Sequence, residues 1–441
     1  MGTDIVVHFP SMPVSFLRHA LLLALLAGCR TTSPTPPPPD PQVEELLQLL
    51  RAEPGDVMAM YDLAARYAVL GEKDASLRWI ERLAELRWSF ALEDADFGAL
   101  AQTPEYRAVA ARIAAFHPEV ARSRPLFTLA QRDLIPEGIT YDPSTDTFFV
   151  SSLRKRKVVA VARDGQVRDF TASGQDGLWG VVGMKVDVAR RQLWVASCTS
   201  RSMENARPEE RGRTGLFQYE LRSGALLRKI TLDNKPRPNL LNDMALSASG
   251  DVFVTNSERG GVSVLRAGAE ALVPLVPEGT LPYPNGIALT EDGARLYVAH
   301  SRGIASVDLS TGQHTPVQAP SGTLLAGFDG LTLYQGSLLG VQNGPGRGRV
   351  VRFHFGADPT RVERAEILES GNPLFNMPTT GTVAGDTFVY IANSQLRRRG
   401  PKGELLPAAQ LDETVLLQVQ LQEAEARPPG GSARGAGLEA R

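Results

Sequence analysis

The chain has 441 residues, a formal net charge of −2 and 43% hydrophobic residues, a composition typical of a globular protein and not of a disordered one. No basic field points to a nucleic-acid partner. The only two cysteines, Cys29 and Cys198, exclude a disulfide scaffold. The length leaves room for more than one domain.

Residues 1–29 are predicted to be an export signal of the lipoprotein type. Arg18 and His19 precede a short apolar run that ends at Ala27 and is too short to span a bilayer as a helix. The run closes with Leu-Ala-Gly-Cys, which resembles a bacterial lipobox and implies cleavage before Cys29 and lipid attachment to its sulfur. We therefore expect a protein in the bacterial cell envelope, held at the membrane by a lipid anchor only. The alternative is a plain signal peptide with a fortuitous cysteine.

Residues 30–42 are rich in proline and predict an extended tether. From 43 to 117 apolar residues recur at helical spacing. Residues 56–86 resemble a tetratricopeptide helix pair, a unit that usually binds peptides in a groove, so a protein partner is one interpretation. A single repeat buries too little surface to make a groove. The alternative is a small helical cap packed on the following domain, or a spacer.

Between residues 126 and 421 the apolar period changes to that of β-strands, and one short phrase recurs. The phrase is an anchor residue, then usually glycine, then an apolar run. It returns at intervals of roughly 40 to 60 residues, which is typical of a β-propeller. In chain order the anchors are Glu137, Val182, Asn242, Asn285, Asp329 and Thr380. The sequence therefore predicts an all-β six-bladed β-propeller, preceded by the small α-helical segment and followed by a disordered tail at 422–441.

The sixth blade contains only three strands of its own. The segment Phe127–Ala130, which precedes blade one, is predicted to supply the fourth. Such closure joins the two ends of the domain and leaves no free inner edge.

Four of the six anchors have carboxylate or amide side chains and stand at the start of the first strand of their blades. That strand lines the central channel, so we expect these side chains to form a ring at its mouth. Two carboxylates and two amide oxygens suit Ca²⁺, whereas the lack of thiolate and imidazole disfavours zinc and copper. The predicted ligands are Glu137, Asn242, Asn285 and Asp329. The alternative is that the Asn-Gly and Asp-Gly pairs only make turns.

This ordered set of four, each with the residue that follows it, resembles the regucalcin/gluconolactonase (senescence marker protein-like) family of six-bladed propellers. More distantly it is similar to diisopropyl-fluorophosphatase and the paraoxonases. The resemblance implies that the four residues hold one catalytic calcium and that the chain hydrolyses small lactones or esters, or phosphotriesters. Calcium would polarise the carbonyl and position a water. Asp329 is the leading candidate for the general base, or for the nucleophile with a phosphotriester.

Two positions depart from the family pattern. Gluconolactonases share an Arg two residues before the blade-three Asn, where this chain has Leu240. Blade two offers Val182 where a polar contact is expected. A less polar lactone or ester is therefore as good a candidate as a sugar-acid lactone. The departures also favour the alternative of a non-catalytic propeller that binds a small ligand or a protein partner.

The ends of the second strands are expected to form a second ring on the same face, farther from the axis: Ser152, Cys198, Asn256, His300, Asn343 and Asn393. Asn242, His300 and Trp179 are the candidate substrate contacts. The alternatives are a hydrogen-bonded strand-end histidine and, for Cys198, a small buried hydrophobe. The loop 199–213 is a candidate lid or a solvated insertion.

Overall fold

The computed structural model describes residues 40–52, 54, 56–86, 92–116, 119–343, 348–400 and 404–422. The predicted signal peptide with Cys29, most of the Pro-rich tether and the predicted tail beyond 422 lie outside the described residues. Among the helices in those ranges, none is long and apolar enough to cross a bilayer.

The N-terminal part of the described chain is helical, as the sequence predicted. Asp56 caps the second helix by accepting the main-chain N–H of Ala59 at 2.9 Å, and Thr103 caps the last one in the same way. The helices are α1 (Pro41–Ala52), α2 (Val57–Val69), α3 (Lys73–Glu85), α4 (Asp94–Phe97) and α5 (Pro104–Ala114), with a 3-10 turn at Gly98–Gln102. Their apolar faces bury Leu63 and Ile80 completely and form one core.

The rest of the described chain forms six four-stranded antiparallel sheets. Blades one and two contain β2–β5 (Ile139–Asp142, Thr147–Ser152, Lys157–Ala162, Val167–Asp169) and β6–β9 (Gly180–Asp187, Gln192–Cys198, Thr214–Glu220, Leu226–Leu232). Blades three and four contain β10–β13 (Leu241–Leu246, Val252–Asn256, Gly261–Leu265, Val273–Val276) and β14–β17 (Ile287–Leu289, Arg295–His300, Gly303–Asp308, His314–Pro316). Blade five contains β18–β21 (Phe328–Tyr334, Ser337–Gln342, Arg349–Phe355, Val362–Ser370). Blade six contains β22–β24 (Gly381–Ala384, Thr387–Ile391, Thr414–Gln420) and β1 (Arg124–Leu129).

The ring closes as predicted. Strand β1 pairs with β24, with Leu129 opposite Thr414, so the first strand of the domain completes its last blade. Just before β1, the main-chain N–H groups of Arg122 and Ser123 donate to Oε2 of Glu369 at 2.8 and 2.7 Å. The predicted six-bladed propeller is therefore confirmed.

The helical segment packs on one end of the propeller. Leu324 and Ala326, in the loop that enters β18, join the apolar core of the helices. Nε of Arg302, in the loop that leaves β15, lies 3.9 Å from Oδ2 of Asp56. Loops that enter a first strand and loops that leave a second strand lie at the same end of a blade. The sequence left open a peptide-binding repeat, a helical cap and a spacer. In the structure the helical segment is a cap that packs on blades four and five.

Candidate active site

The six anchors lie next to one another around the propeller axis. A Cβ placed on Gly138 would come within 2.2 Å of the carbonyl oxygen of the blade-two anchor, and one on Gly286 within 2.5 Å of that of Asp329. Oγ1 of Thr380 donates to the carbonyl oxygen of Glu137 at 2.7 Å and links blade six to blade one. Glycine follows these anchors because the neighbouring blade occupies the place of a side chain. The repeated phrase thus reflects close contact of the inner strands.

Asp329, the second residue of β18, is held from two blades. Its Oδ1 accepts the side-chain N–H of Asn285 at 2.7 Å, and its Oδ2 accepts that of Asn343 at 2.5 Å. The carboxyl is only 7% exposed. Burial raises the pKa of Asp329 to about 6, although both amide donors act to lower it. The two amide donors therefore fix the carboxyl of Asp329 in orientation.

Glu137 brings a second buried carboxyl to the ring. Its Oε1 is buried and makes no hydrogen bond with any described residue. The backbone that carries it is fixed, since the N–H groups of Glu137 and Gly138 both donate to Oγ of Ser151, at 3.0 and 2.7 Å. Burial, and then the charge of Asp329, raise the pKa of Glu137 well above its usual value. A buried carboxylate oxygen without a donor is costly unless a proton or a cation compensates it.

Asn242 offers an amide oxygen. Its side-chain N–H donates to Oγ of Ser257 at 3.1 Å, and that hydroxyl donates onward to the carbonyl oxygen of Pro284 at 2.6 Å. In the part of the chain that the structure describes, no group donates to Oδ1 of Asn242. The residue after it, Asp243, has a third buried carboxyl, and its Oδ1 accepts the main-chain N–H of Met244 at 2.8 Å.

The side chains of the ring offer only oxygen donors, which suit a hard cation and disfavour softer metals. Among the described residues, no group of three or more His, Cys, Asp or Glu side chains is placed to hold a metal ion. A metal at this ring would therefore use amide oxygens beside the two carboxylates of Glu137 and Asp329. Oxygen-only coordination with mixed charge fits Ca²⁺. The unpartnered Oε1 of Glu137 is the atom whose burial such an ion would compensate.

The second ring serves mainly to hold the mouth loops. Ser152 donates to the carbonyl oxygen of Leu134 at 2.5 Å, and Asn256 accepts the N–H of Leu240 at 3.0 Å. Asn343 differs, because it reaches the inner ring and does not stay farther out as expected. Its own N–H pairs with the carbonyl oxygen of Gly327 at 3.1 Å, which folds the chain back towards the axis.

Among the described residues, neither Trp179 nor His300 forms a hydrogen bond with Glu137 or Asp329. Trp179 is half-buried and lines a separate cavity of about 640 Å³ with Arg156 and Lys229, to which no anchor contributes. Nδ1 of His300 accepts the N–H of Arg302 at 3.3 Å, and burial lowers the pKa of this imidazole to about 4. Burial raises the pKa of the Cys198 thiol to about 12, so this cysteine is unreactive. The substrate contacts predicted for Trp179, His300 and Asn242 stay predictions.

Loops cover the mouth on the side that the helices leave open. Loop 199–213 of blade two is tied to blade one by the ion pair of Glu204 with Lys155. Nη2 of Arg399, from the loop after β23, donates to Oγ of Ser202 at 2.7 Å. Since blade one separates blades two and six, these two loops meet above it. These contacts hold the loop against its neighbours, and its role as a lid stays a prediction.

Arg397 stands between the helical cap and the ring. Its Nη2 donates to the carbonyl oxygen of Asn343 at 3.4 Å. Burial lowers the pKa of Arg397, while the charges of Asp96 and Glu93 on the cap and of Asp329 in the ring raise it. Sequence patterns gave no sign of this residue, because its position depends on how the helices dock.

The sequence patterns also gave no sign of Tyr283 and Glu258, which lie in loops at the mouth end of blades four and three. Tyr283 stands two residues before the anchor Asn285, and Glu258 follows the second strand of blade three. Burial, and then the charge of Glu258, raise the pKa of Tyr283. The available signal was position alone, since both lie in loops at the mouth end of their blades.

Comparison with known proteins agrees with the fold. Residues 135–353 match the family model of the SMP-30/gluconolactonase/LRE-like region. No curated protein matches the chain.

Three solved structures are among those similar to this chain. A gluconolactonase from Xanthomonas campestris is 17% identical, with a TM-score of 0.48, over 71% of this chain and 93% of that one. A calcium-binding regucalcin from Agrobacterium tumefaciens is 17% identical, with a TM-score of 0.45, over 69% and 96%. A PQQ-bound aldose sugar dehydrogenase from Streptomyces coelicolor is 13% identical, with a TM-score of 0.46, over 69% and 99%. Such distant similarity carries no activity over to this chain.

The family match covers the anchors of blades one to five. It begins two residues before Glu137 and ends beyond Asp329, so all four predicted ligands lie inside it. The resemblance inferred from the anchors is confirmed, since most of the propeller matches the SMP-30/gluconolactonase/LRE-like family model.

Proposed function

We propose that this protein is a calcium-dependent hydrolase of small lactones or esters. The observation that carries the proposal is the buried carboxyl pair of Glu137 and Asp329, set in a ring of amide oxygens with one carboxylate oxygen unpartnered. The match of residues 135–353 to the SMP-30/gluconolactonase/LRE-like family model supports hydrolysis of the lactonase type. The oxygen-only ring supports calcium as the ion.

Glu137, Asn242, Asn285 and Asp329 would hold the ion. When bound, calcium supplies a Lewis acid that polarises the acyl carbonyl. The chain's own task is to orient and activate the attacking water. Each carboxylate oxygen of Asp329 has a second lone pair beyond the one used by its amide donor. Burial raises the pKa of Asp329 above that of an ordinary aspartate, which is the direction that suits a general base.

The surroundings of the ring suit a substrate of low polarity. Leu240 stands where gluconolactonases have the Arg that contacts sugar hydroxyls, and it packs against the apolar cluster between blades two and three. The helical cap and the two mouth loops shield the ring, which strengthens electrostatic interactions inside it. We therefore favour an apolar lactone or ester over a sugar-acid lactone.

The proposal is tested by a hydrolysis panel on metal-stripped protein. Aliphatic lactones, gluconolactone, an aryl ester and a phosphotriester are each assayed in EGTA and after calcium is restored. We expect lactone or ester turnover that is lost in EGTA and returns with calcium. Absence of turnover on the whole panel, with calcium present, would favour the non-catalytic propeller that binds a ligand or partner.

The lipid anchor at Cys29 stays a prediction, and it places the enzyme at the cell envelope. Its basis is the Leu-Ala-Gly-Cys end of the apolar run. Cys29→Ser removes the acceptor sulfur, so the protein should move from the membrane to the soluble fraction. Fractionation followed by immunoblotting measures this. Membrane partitioning equal to that of the wild type would contradict the assignment.

A further inference from the structure

Asn343 differs from the other asparagines of the second ring because its side chain bonds to an anchor side chain. Asn256 and Asn393 bond to the main chain of neighbouring loops, at 3.0 and 2.8 Å. Asn343 instead donates its side-chain N–H to Oδ2 of Asp329 at 2.5 Å. The last side-chain torsion of an aspartate has no sharp preference of its own. The direction in which the carboxyl of Asp329 faces therefore depends on its donors.

The main chain before Asn343 is fixed by the loop that enters β18. The N–H of Asn343 donates to the carbonyl oxygen of Gly327 at 3.1 Å. The preceding residue, Gln342, is fully buried, and its side-chain amide donates to the carbonyl oxygens of Leu324 and Ala326 at 3.1 and 2.7 Å. Three hydrogen bonds thus tie the end of β19 to this loop.

The same loop makes the apolar contact with the helical cap. Leu324 and Ala326 pack into the core of the helices, and Ala326 is only 2% exposed. Their side chains therefore contact the cap while their carbonyl oxygens bond to Gln342. Close-packed interiors transmit displacements, so a shift of the helices on the propeller would move this loop and Asn343 with it.

The carbonyl oxygen of Asn343 is held from a third direction. Nη2 of Arg397, in the loop after β23 of blade six, donates to it at 3.4 Å. The N–H, the carbonyl oxygen and the side-chain amide of Asn343 thus bond to three different segments of the propeller. The place of its side-chain donor is set by packing around the mouth and not by a single strand.

We propose that Asn343 is a positioning residue for Asp329, held in place by the docked helical cap through the loop that contains Leu324 and Ala326. The inference rests on the proposed function. It makes the docked helices a requirement for the full rate of hydrolysis, in addition to a cover for the mouth. Asn343 acts through the carboxyl of Asp329 and needs no contact with the substrate.

Asn343→Leu tests the first step, because it keeps the bulk of the side chain and removes the donor. At saturating calcium and below the melting temperature, kcat should fall about 10- to 100-fold, the usual effect of losing a partner of a metal ligand. KM should stay at the wild-type value, and Asn343→Ala should show the same loss. Asn372→Ala is the matched control, because Asn372 donates to Oε1 of Glu369, on the outer strand of blade five, at 2.8 Å. It should retain wild-type kcat.

A double-mutant cycle tests whether Asn343 acts through Asp329. In the Asp329→Asn background the donor no longer has a base to orient, so Asn343→Leu should not lower kcat further. If the losses of the two single variants multiply, Asn343 acts on the reaction independently of Asp329 and the inference is wrong.

Leu324→Ala tests the link to the helical cap, because it removes packing against the helices and leaves every residue of the ring in place. We expect kcat to fall about 3- to 10-fold, within the range of couplings carried by packed side chains. Combining it with Asn343→Leu should give no more loss than Asn343→Leu alone. Leu47→Ala is the control, since it takes a partly buried leucine from the same core but from α1. It should retain wild-type kcat.

The outcomes separate this inference from the hydrolase proposal. Wild-type kcat in Asn343→Leu and Asn343→Ala, even with a lower melting temperature, shows a structural role, overturns the inference and leaves the hydrolase proposal standing. Wild-type kcat in Leu324→Ala overturns the part assigned to the helical cap. A wild type that binds calcium and hydrolyses nothing on the panel overturns the hydrolase proposal, and this inference with it.

Discussion

Asp329→Asn should lower kcat on the preferred substrate by about 1,000-fold, within the range found for general acid–base catalysis. The substitution keeps the shape of the side chain but removes the proton acceptor. It also places an amide N–H against Asn285 or Asn343, both of which now donate to the carboxylate. Loss of one of the two ring charges should weaken calcium binding as well. Steady-state kinetics at saturating calcium separates the two effects.

The same change, aspartate to asparagine, at a buried position away from the ring provides the control. Asp187, at the far end of β6, is also 7% exposed and pairs with Arg190 at 3.0 Å, away from the ring. Asp187→Asn should keep wild-type kcat and calcium affinity. If Asp329→Asn retains kcat within about tenfold of the wild type at saturating calcium, Asp329 is not the base.

Glu137→Gln should change stability in opposite directions with and without calcium. In EGTA the variant should melt higher than the wild type, because it removes a buried charge that faces Asp329 and has an unpartnered oxygen. The expected gain is on the order of 1 kcal/mol. A calcium concentration a hundredfold above the Kd stabilises the wild type by about 2.7 kcal/mol, whereas a variant that binds about a hundredfold more weakly gains only about 0.4 kcal/mol.

The pH dependence of this effect has a definite sign. Because the pKa of Glu137 is raised in the folded protein, the penalty is absent below the ordinary carboxyl value of 4.5 and grows as pH rises above it. Wild type and Glu137→Gln should therefore converge in EGTA at acidic pH and separate towards neutral pH. Thermal melts over that range measure the difference. A variant that melts lower in EGTA and keeps the full calcium shift would show that Glu137 is no ligand.

The sequence was sufficient for the fold because the repeated phrase is a direct consequence of propeller geometry. Each glycine after an anchor marks a place where the neighbouring inner strand leaves no room for Cβ, as at Gly138 and Gly286. The repeated phrase occurs once in each blade, so its number of occurrences gives the number of blades. Because the sequence of blade six contains only three strands, it predicts closure by β1. These features are local in sequence and repeat with the architecture.

The parts of the site that were missed depend on non-local packing. Asn343 reaches Asp329 only because its loop folds back on Gly327. Tyr283 has a left-handed backbone conformation, with φ of 50°, that a sequence pattern does not reveal. Trp179, one residue before β6, nevertheless lines another cavity.

The position of the helices on the propeller could not be predicted from the sequence either. Leu324 and Ala326 belong to the core of the helical segment, although they lie within the propeller sequence. Nothing in their spacing distinguishes them from residues that fill a blade.

Calorimetric titration of the metal-stripped full chain with calcium tests the central claim most directly, namely that the ring of Glu137, Asn242, Asn285 and Asp329 is a calcium site. We expect one calcium bound per chain and a rise in melting temperature. Mg²⁺ should have a smaller effect, because it resists irregular oxygen sites. Absence of binding heat, together with a melting temperature that EGTA does not change, would contradict the account. The repeated anchor residues would then serve only to form turns.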